Sequence, residues 1–258
     1  MENLIYCYSG SGNCLHIAKT IARELGNTDI VMMRKAPAIL NTTGAKTVGF
    51  VFPCYAGGLP GEYEKFVKQL STRYSTYTYA VVSYAGYPGV GLSRINKIVP
   101  LDYWAKISHH CSCIWLFPHQ LMLPAMSVDK AQKRSEKLAR EVATDVKARK
   151  EILEPVPANR LNEIETRLWP KLATLKAKKF TVSDACIGCG QCERLCPKGN
   201  ITITDGKAQI GKNCIGCLSC LQYCPKEAIA IGQPEKRERY HNPDVVAEEL
   251  TKDIIHID

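Results

Sequence analysis

The sequence predicts an α/β chain: a doubly wound parallel sheet of five strands, followed by a small α+β domain. Three observations carry this. The first half alternates short apolar runs with Gly-containing loops and stretches of helical period. A loop rich in Ser and Gly follows the first of those runs. Eight Cys recur in two matched sets of four toward the C-terminus.

Taken in order, Asn3 to Tyr8 is an apolar, aromatic run short enough for a buried strand. It leads into Ser9-Gly10-Ser11-Gly12-Asn13-Cys14, and then into Leu15, Ile17, Ala18, Ile21, Ala22 and Leu25 at helical spacing. Strand, hydroxyl-and-glycine loop and helix together build a phosphate cradle. Gly permits the tight turn, Ser hydroxyls and backbone N–H groups donate to phosphate oxygens, and the helix N-terminus favours the anion. The loop lacks the Lys of the nucleoside-triphosphate loop and the Gly-x-Gly-x-x-Gly dinucleotide fingerprint, so a single phosphomonoester suits it best. A plain surface turn is the alternative.

Residues 29 to 33 predict a second strand and Thr47 to Phe52 a third, which runs into Pro53-Cys54-Tyr55-Ala56-Gly57-Gly58-Leu59-Pro60. A helix follows from Gly61 to about Leu70. Tyr77 to Ser83 predicts the fourth strand, leading into Tyr84-Ala85-Gly86-Tyr87-Pro88-Gly89, and Val90 to Val99 returns as a helix. Ligands of such sheets sit beyond the carboxyl ends of the strands, at the switch point. Trp104 to Phe117 contains His109-His110-Cys111-Ser112-Cys113. Its apolar flanks favour a last core strand over a third metal site, because alternate residues of a strand face opposite ways. Cys7 and Cys54 read as small buried hydrophobes.

Ser127 caps a helix whose face is Val128, Ala131, Ser135, Leu138, Val142 and Val146. Pro155 and Pro157 mark a boundary, and Leu161, Ile164 and Leu168 suggest a connecting helix that Trp169-Pro170 limits or kinks. Asn242-Pro243 predicts a last short helix. The expected domains are 1–152, a helical linker 153–178, a metal-binding domain 179–233 and a C-terminal extension 234–258.

The Cys sets read Cys186-x-x-Cys189-x-x-Cys192-x-x-x-Cys196-Pro197 and Cys214-x-x-Cys217-x-x-Cys220-x-x-x-Cys224-Pro225, each position repeating after 28 residues. This is the ligand pattern of bacterial ferredoxins with two [4Fe–4S] clusters, in which the fourth Cys of each run serves the other cluster. The expected sets are therefore Cys186, Cys189, Cys192 and Cys224 for one cluster, and Cys214, Cys217, Cys220 and Cys196 for the other. Zinc takes separated pairs of ligands instead, and disulfides need an oxidising compartment. Between the runs, Ile201 to Thr204 and Lys207 to Ile210 flank Asp205-Gly206 as a hairpin with a type I′ turn.

Tyr8-Ser9-Gly10-Ser11-Gly12-Asn13-Cys14 resembles the FMN-phosphate loop of flavodoxins, with Cys14 where those usually carry Thr. A thiol donates a weaker hydrogen bond. The two halves together resemble the ferredoxin-fused flavodoxins. That resemblance implies a flavodoxin-like sheet, FMN and two [4Fe–4S] clusters. It places Ser9 to Cys14 on the phosphate, and Pro53, Cys54, Tyr55, Ala56, Gly57, Ser83, Tyr84, Gly86 and Tyr87 around the ring.

Of 258 residues, 45% are hydrophobic and 23% charged, an ordinary globular composition. The N-terminus lacks the basic and apolar regions of a signal peptide. The most apolar stretch, Cys113 to Met126, is broken by Pro118, His119, Gln120 and Pro124 and is too short to span a bilayer. A cytoplasmic, oxygen-sensitive protein of an anaerobe is the expectation. The formal charge is +9, and residues 129–179 hold 14 Lys and Arg against 8 Asp and Glu. That surplus is either a solvated helix face or a docking surface for an acidic redox partner. No nucleic-acid motif accompanies it, and a homodimer stays open.

Clusters pass one electron at a time and a flavin holds one or two. The sequence therefore points to electron transfer between [4Fe–4S] clusters and FMN, with the chain acting as carrier to a partner protein. The alternatives are an FMN-dependent reductase of a small molecule or quinone, and a flavin-free binding or sensor protein.

Overall fold

The computed structural model describes residues 2–33, 42, 44–70, 76–113, 116, 126–232 and 238–258. The expected end of a strand at Phe117-Pro118-His119-Gln120 and most of the apolar stretch from Cys113 to Met126 lie outside these residues.

Five parallel strands form the sheet: β1 (Asn3–Cys7), β2 (Thr28–Met32), β3 (Thr47–Pro53), β4 (Tyr77–Tyr84) and β5 (Tyr103–Ser108). Their order is β2-β1-β3-β4-β5, which is the flavodoxin-like doubly wound order with its switch point between β1 and β3. Both faces of the sheet are covered, so β1, β3 and β4 are almost wholly buried and read as continuous apolar runs. On one face α1 (Asn13–Leu25) packs Leu15, Ile17, Ile21 and Ala22 against Ile5, Cys7 and Val51. On the other, α2 (Gly61–Val67) and α3 (Gly91–Asn96) pack Tyr63, Phe66 and Ile95 against Tyr6, Phe50 and Val82. Tyr63 donates its hydroxyl to the Tyr6 carbonyl at 2.9 Å, so the large buried phenol is satisfied.

After β5 the chain builds α4 (Val128–Lys147), whose Ala131, Ser135, Ala139, Val142 and Val146 turn inward beside α1. The connecting helix is α5 (Arg160–Ala177), and it runs through Pro170. The leucines that suggested the helix are not on its buried face. Leu161, Ile164, Leu168, Leu172 and Leu175 face outward, while Thr166, Ala173 and Ala177 are buried. Small residues on the inner face let the helix approach the loops beyond the sheet closely.

The Cys-rich segment contains β6 (Phe180–Val182), α6 (Gln191–Leu195), β7 (Ile201–Thr204), β8 (Lys207–Ile210), α7 (Ser219–Gln222) and β9 (Ile229–Ile231). β6 pairs with β9, and β7 with β8, both antiparallel. Asp205 and Gly206 have φ of 50° and 71°, the two left-handed residues that the type I′ turn requires.

Two expectations are corrected. No helix begins at Asn242-Pro243: Asn242 Oδ1 accepts from the Asp244 N–H at 3.0 Å as a cap would, yet the chain makes only turns there and a 3-10 turn at Glu249–Thr251. The chain then returns to the sheet as β10 (Ile254–Ile257), antiparallel to β2, a sixth strand that the sequence reading did not find. And β5 stops at Ser108, so His109 to Cys113 form a loop instead of continuing the strand.

Candidate functional site

The loops after β1, β3 and β4 converge at the carboxyl edge of the sheet on one cleft. It is lined by Ser9, Gly10, Ser11, Asn13 and Cys14, by Pro53 to Gly57, and by Ser83 to Tyr87. Gly12 lies within the first loop with φ of 95°, a conformation costly for any residue with a Cβ. Its N–H donates to Ser9 Oγ at 3.1 Å. No side chain caps α1, and its first amides are therefore among the donors that helix geometry leaves unpaired. Cys14 is wholly buried beneath the loop, and burial drives its thiol pKa up. Gly57 accepts from the Val90 N–H at 2.7 Å, which locks the loops after β3 and β4 together. Gly89 must be Gly, since a Cβ there would lie 2.1 Å from the Gly57 carbonyl oxygen.

The sequence reading missed four contributors. His109, only 3% exposed, lines the cleft from the end of β5. Its Nδ1 accepts from the His110 N–H at 2.8 Å, which leaves the proton of the neutral ring on Nε2. That Nε2 is buried with no partner among the described residues. Burial pushes the His109 pKa down to about 3, so the ring stays neutral. The second contributor is α5, which braces the rim: Thr166 Oγ1 donates to the Ala56 carbonyl at 3.1 Å, and the Tyr87 hydroxyl donates to Glu165 at 2.5 Å.

The third is the C-terminal extension. Asn242, wholly buried, donates its backbone N–H to the Ser11 carbonyl at 2.7 Å, and Tyr240 donates its hydroxyl to Asn13 Oδ1 at 2.7 Å. The fourth is the Cys-rich segment itself, which forms one wall through Gly216, Cys217 and Leu218. The Cys217 carbonyl would lie 2.7 Å from a Cβ on Gly10. Trp169 of α5 donates its Nε1–H to the Ile215 carbonyl at 3.1 Å and covers Gly216. No sequence pattern announces these long-range contacts. The cluster of His and Cys at 109–113 was the one visible signal, and an assumed strand hid it.

The eight Cys separate into two small cavities. Cys186, Cys189, Cys192 and Cys224 line one, and Cys196, Cys214, Cys217 and Cys220 line the other. In each, a sulfur accepts a backbone N–H: Ala228 to Cys224 Sγ at 3.3 Å, Asn200 to Cys196 Sγ at 3.2 Å and Gly216 to Cys214 Sγ at 3.3 Å. The second cavity is the one that shares Cys217 with the cleft.

Residues 185–229 match the family of 4Fe-4S dicluster domains. The chain joins a flavodoxin-like sheet to a ferredoxin-type segment. No curated protein matches the sequence. Among solved structures, the chain is similar to an FMN-dependent NADH-azoreductase from Bacillus anthracis in complex with FMN, at 8% identity and a TM-score of 0.35, over 57% of this chain and 99% of that one. It is also similar to rubredoxin oxygen:oxidoreductase from the anaerobe Desulfovibrio gigas, at 12% identity and a TM-score of 0.39, over 58% of this chain and 37% of that one. The chain thus spans little more than a third of the Desulfovibrio protein. A third similar structure is Smu.1420 from Streptococcus mutans, at 12% identity and a TM-score of 0.37, over 56% of this chain and all of that one. The ferredoxin-type segment makes this an iron–sulfur protein of redox chemistry. Among the described residues no helix is long and apolar enough to cross a membrane.

Proposed function

We propose that this ferredoxin-fused flavodoxin passes electrons between two [4Fe–4S] clusters and an FMN in the cleft, and carries them to a partner protein. The single observation that carries this reading is the shared wall. Cys217 lines one four-thiol cavity and, at the same time, the cleft formed by the β1, β3 and β4 loops.

The residues fit both kinds of group. Four thiols around each cavity suit a cubane, with Cys186, Cys189, Cys192 and Cys224 holding the cluster distant from the cleft, and Cys214, Cys217, Cys220 and Cys196 the adjacent one. The unpaired amides at the start of α1, with Ser9 and Ser11, suit a phosphate. The His109 Nε2–H is a buried donor without an acceptor among the described residues, suited to an oxygen of the ligand. Tyr55, Tyr84 and Tyr87 flank the place for an aromatic ring, and Cys54, Ala56, Gly57 and Gly86 supply its backbone surroundings. The cleft, about 150 Å³, is smaller than the roughly 300–1,000 Å³ of typical small-molecule sites. Tyr84 is half-exposed and Tyr87 exposed at its rim, so the cleft is open to solvent on that side.

Bound there, FMN supplies the exchange between one- and two-electron steps. The chain's part is to fix the distance between cluster and ring, to donate N–H groups to the cluster sulfurs, and to exclude water from the deep end of the cleft. Functional units at 1–152, 153–178, 179–233 and 234–258, a cytoplasmic setting, and an acidic redox partner docking on the basic 129–179 stretch complete the reading.

The test is a cofactor inventory on anaerobically reconstituted protein, followed by a reductive titration. About eight iron and one FMN per chain, with flavin reduced through the clusters, supports the proposal. Eight iron without FMN binding leaves a flavin-free protein. Rapid turnover of quinones without a partner protein makes the chain a reductase.

A further inference from the structure

Beyond β5 the chain bends through His109, His110, Cys111, Ser112 and Cys113 along the cleft instead of continuing the sheet. This turn brings the sulfurs of Cys111 and Cys113 to 3.3 Å from each other. Neither belongs to the two four-thiol cavities. We propose that Cys111 and Cys113 form a redox-active dithiol/disulfide couple that exchanges two electrons with the flavin of the cleft. The inference rests on the flavin reading given above.

Four features support it. A disulfide has its sulfurs about 2.05 Å apart, so bonding needs an approach of only about 1.3 Å, within reach of side-chain rotation in a loop. The loop is held in place from both sides: Asn13 of the phosphate loop donates to the His110 carbonyl at 3.4 Å, and Gln222 of α7 donates to the Ser112 carbonyl at 2.9 Å. Cys113 lines the cleft beside Cys54 and Tyr87, while Cys111 is buried behind it. Finally, the hydrogen bond between the two sulfurs lowers the Cys111 thiol below its ordinary value despite its burial, which favours the thiolate that reacts. The partner effect pushes Cys113 up. One sulfur ionises while its neighbour keeps the proton.

A metal is the competing use of two such thiols. Among the described residues, no third His, Cys, Asp or Glu gathers with Cys111 and Cys113 closely enough to complete a site.

The chemistry balances as follows. In oxidation, Cys111 and Cys113 lose two protons and two electrons and one S–S bond forms; oxidised flavin accepts both electrons and two protons. In reduction, the S–S bond breaks, reduced flavin supplies the same electrons and protons, and two thiols result. The couple would hold a second electron pair next to the ring, where single-electron clusters deliver one at a time.

The experiment uses the full, cluster-loaded chain under anaerobic conditions with its clusters oxidised. It is poised across mixtures of reduced and oxidised dithiothreitol, quenched in acid and alkylated with N-ethylmaleimide. The peptide carrying Cys111 and Cys113 is then weighed, with and without bound FMN. The expected result is one transition from two alkylated sulfurs to none, present with and without FMN. Cys113→Ser abolishes it and leaves Cys111 alkylated at every poise. With FMN bound, protein holding the reduced pair bleaches about one flavin for each disulfide formed, and Cys113→Ser does not. Two alkylated sulfurs at all poises, or a disulfide to Cys54 instead, overturns the couple. A pair that cycles while bound FMN stays oxidised overturns the exchange. Failure of FMN to bind overturns the exchange and the flavin reading together, with the thiol transition still standing on its own.

Discussion

Ser219 donates its hydroxyl to the carbonyl of Gly10 at 2.7 Å, across 209 residues of sequence. One partner opens the short helix after Cys217, and the other lies in the loop after β1. The same hydroxyl stands 3.5 Å from Cys217 Sγ. A hydrogen bond buried at the seam between the flavodoxin-like sheet and the ferredoxin-type segment therefore fixes their spacing.

Ser219→Ala leaves the Gly10 carbonyl buried without this donor, a loss of about 1–3 kcal/mol. The expected outcome is a lower midpoint in anaerobic denaturant unfolding together with slower electron passage from cluster to FMN. An unchanged midpoint would show that the seam is held by other contacts.

Cys196→Ser and Cys224→Ser separate the two cavities. Each is expected to lower iron from about eight to about four per chain, since the fourth thiol closes one cubane. Only Cys196→Ser should abolish rapid flavin reduction, because Cys196 belongs to the cavity that shares Cys217 with the cleft. Iron analysis with stopped-flow absorbance tells the two variants apart, and equal behaviour would refute the assigned order.

Gly12→Ala places a Cβ at φ of 95°, 2.7 Å from the Tyr223 hydroxyl and 2.9 Å from Asn242 Cβ. Backbone strain of about 1–3 kcal/mol follows, and the loop must move away from its C-terminal brace. FMN affinity, read by equilibrium dialysis, is expected to fall at least tenfold. A variant that binds FMN as the wild type does would remove this loop from the site.

Acid stability tests His109. Burial holds its folded pKa at about 3, below the ordinary value of 6.5. Between those values the unfolded chain binds a proton that the folded chain does not. Stability from this group is thus complete above about pH 6.5 and is lost as the pH falls toward 3. His109→Gln is expected to flatten the decline of stability over that range, measured by denaturant unfolding at a series of pH values. An unaltered slope would place the acid sensitivity elsewhere.

The parts of the fold legible in the sequence are those governed by local rules. Period, Gly placement and the Cys repeat announced β1 to β5, the hairpin at Asp205-Gly206 and the eight thiols, because each follows from neighbours within a few residues. The pieces that escaped depend on distant partners. Ile254 to Ile257 alternates weakly, and only the free edge of β2 makes it a strand. The outward Leu161 and Leu168 follow the helical period correctly, but period alone does not say which face meets the protein. His109 and Cys113 were visible as residues, yet their place in the cleft depends on β5 ending at Ser108.

β10 alters how the two halves are related. The chain leaves the sheet after β5, builds the iron–sulfur segment, and comes back to pair with β2. The redox module is thus a guest inserted within its host, tethered at both of its ends. A protein cut before residue 179 would lose a sheet edge and the brace on Ser11 as well as the eight thiols of the two cavities. It follows that the two modules cannot be exchanged like beads on a string: transplanting the guest means cutting the host twice and rejoining it so that Ile254 to Ile257 still reaches β2.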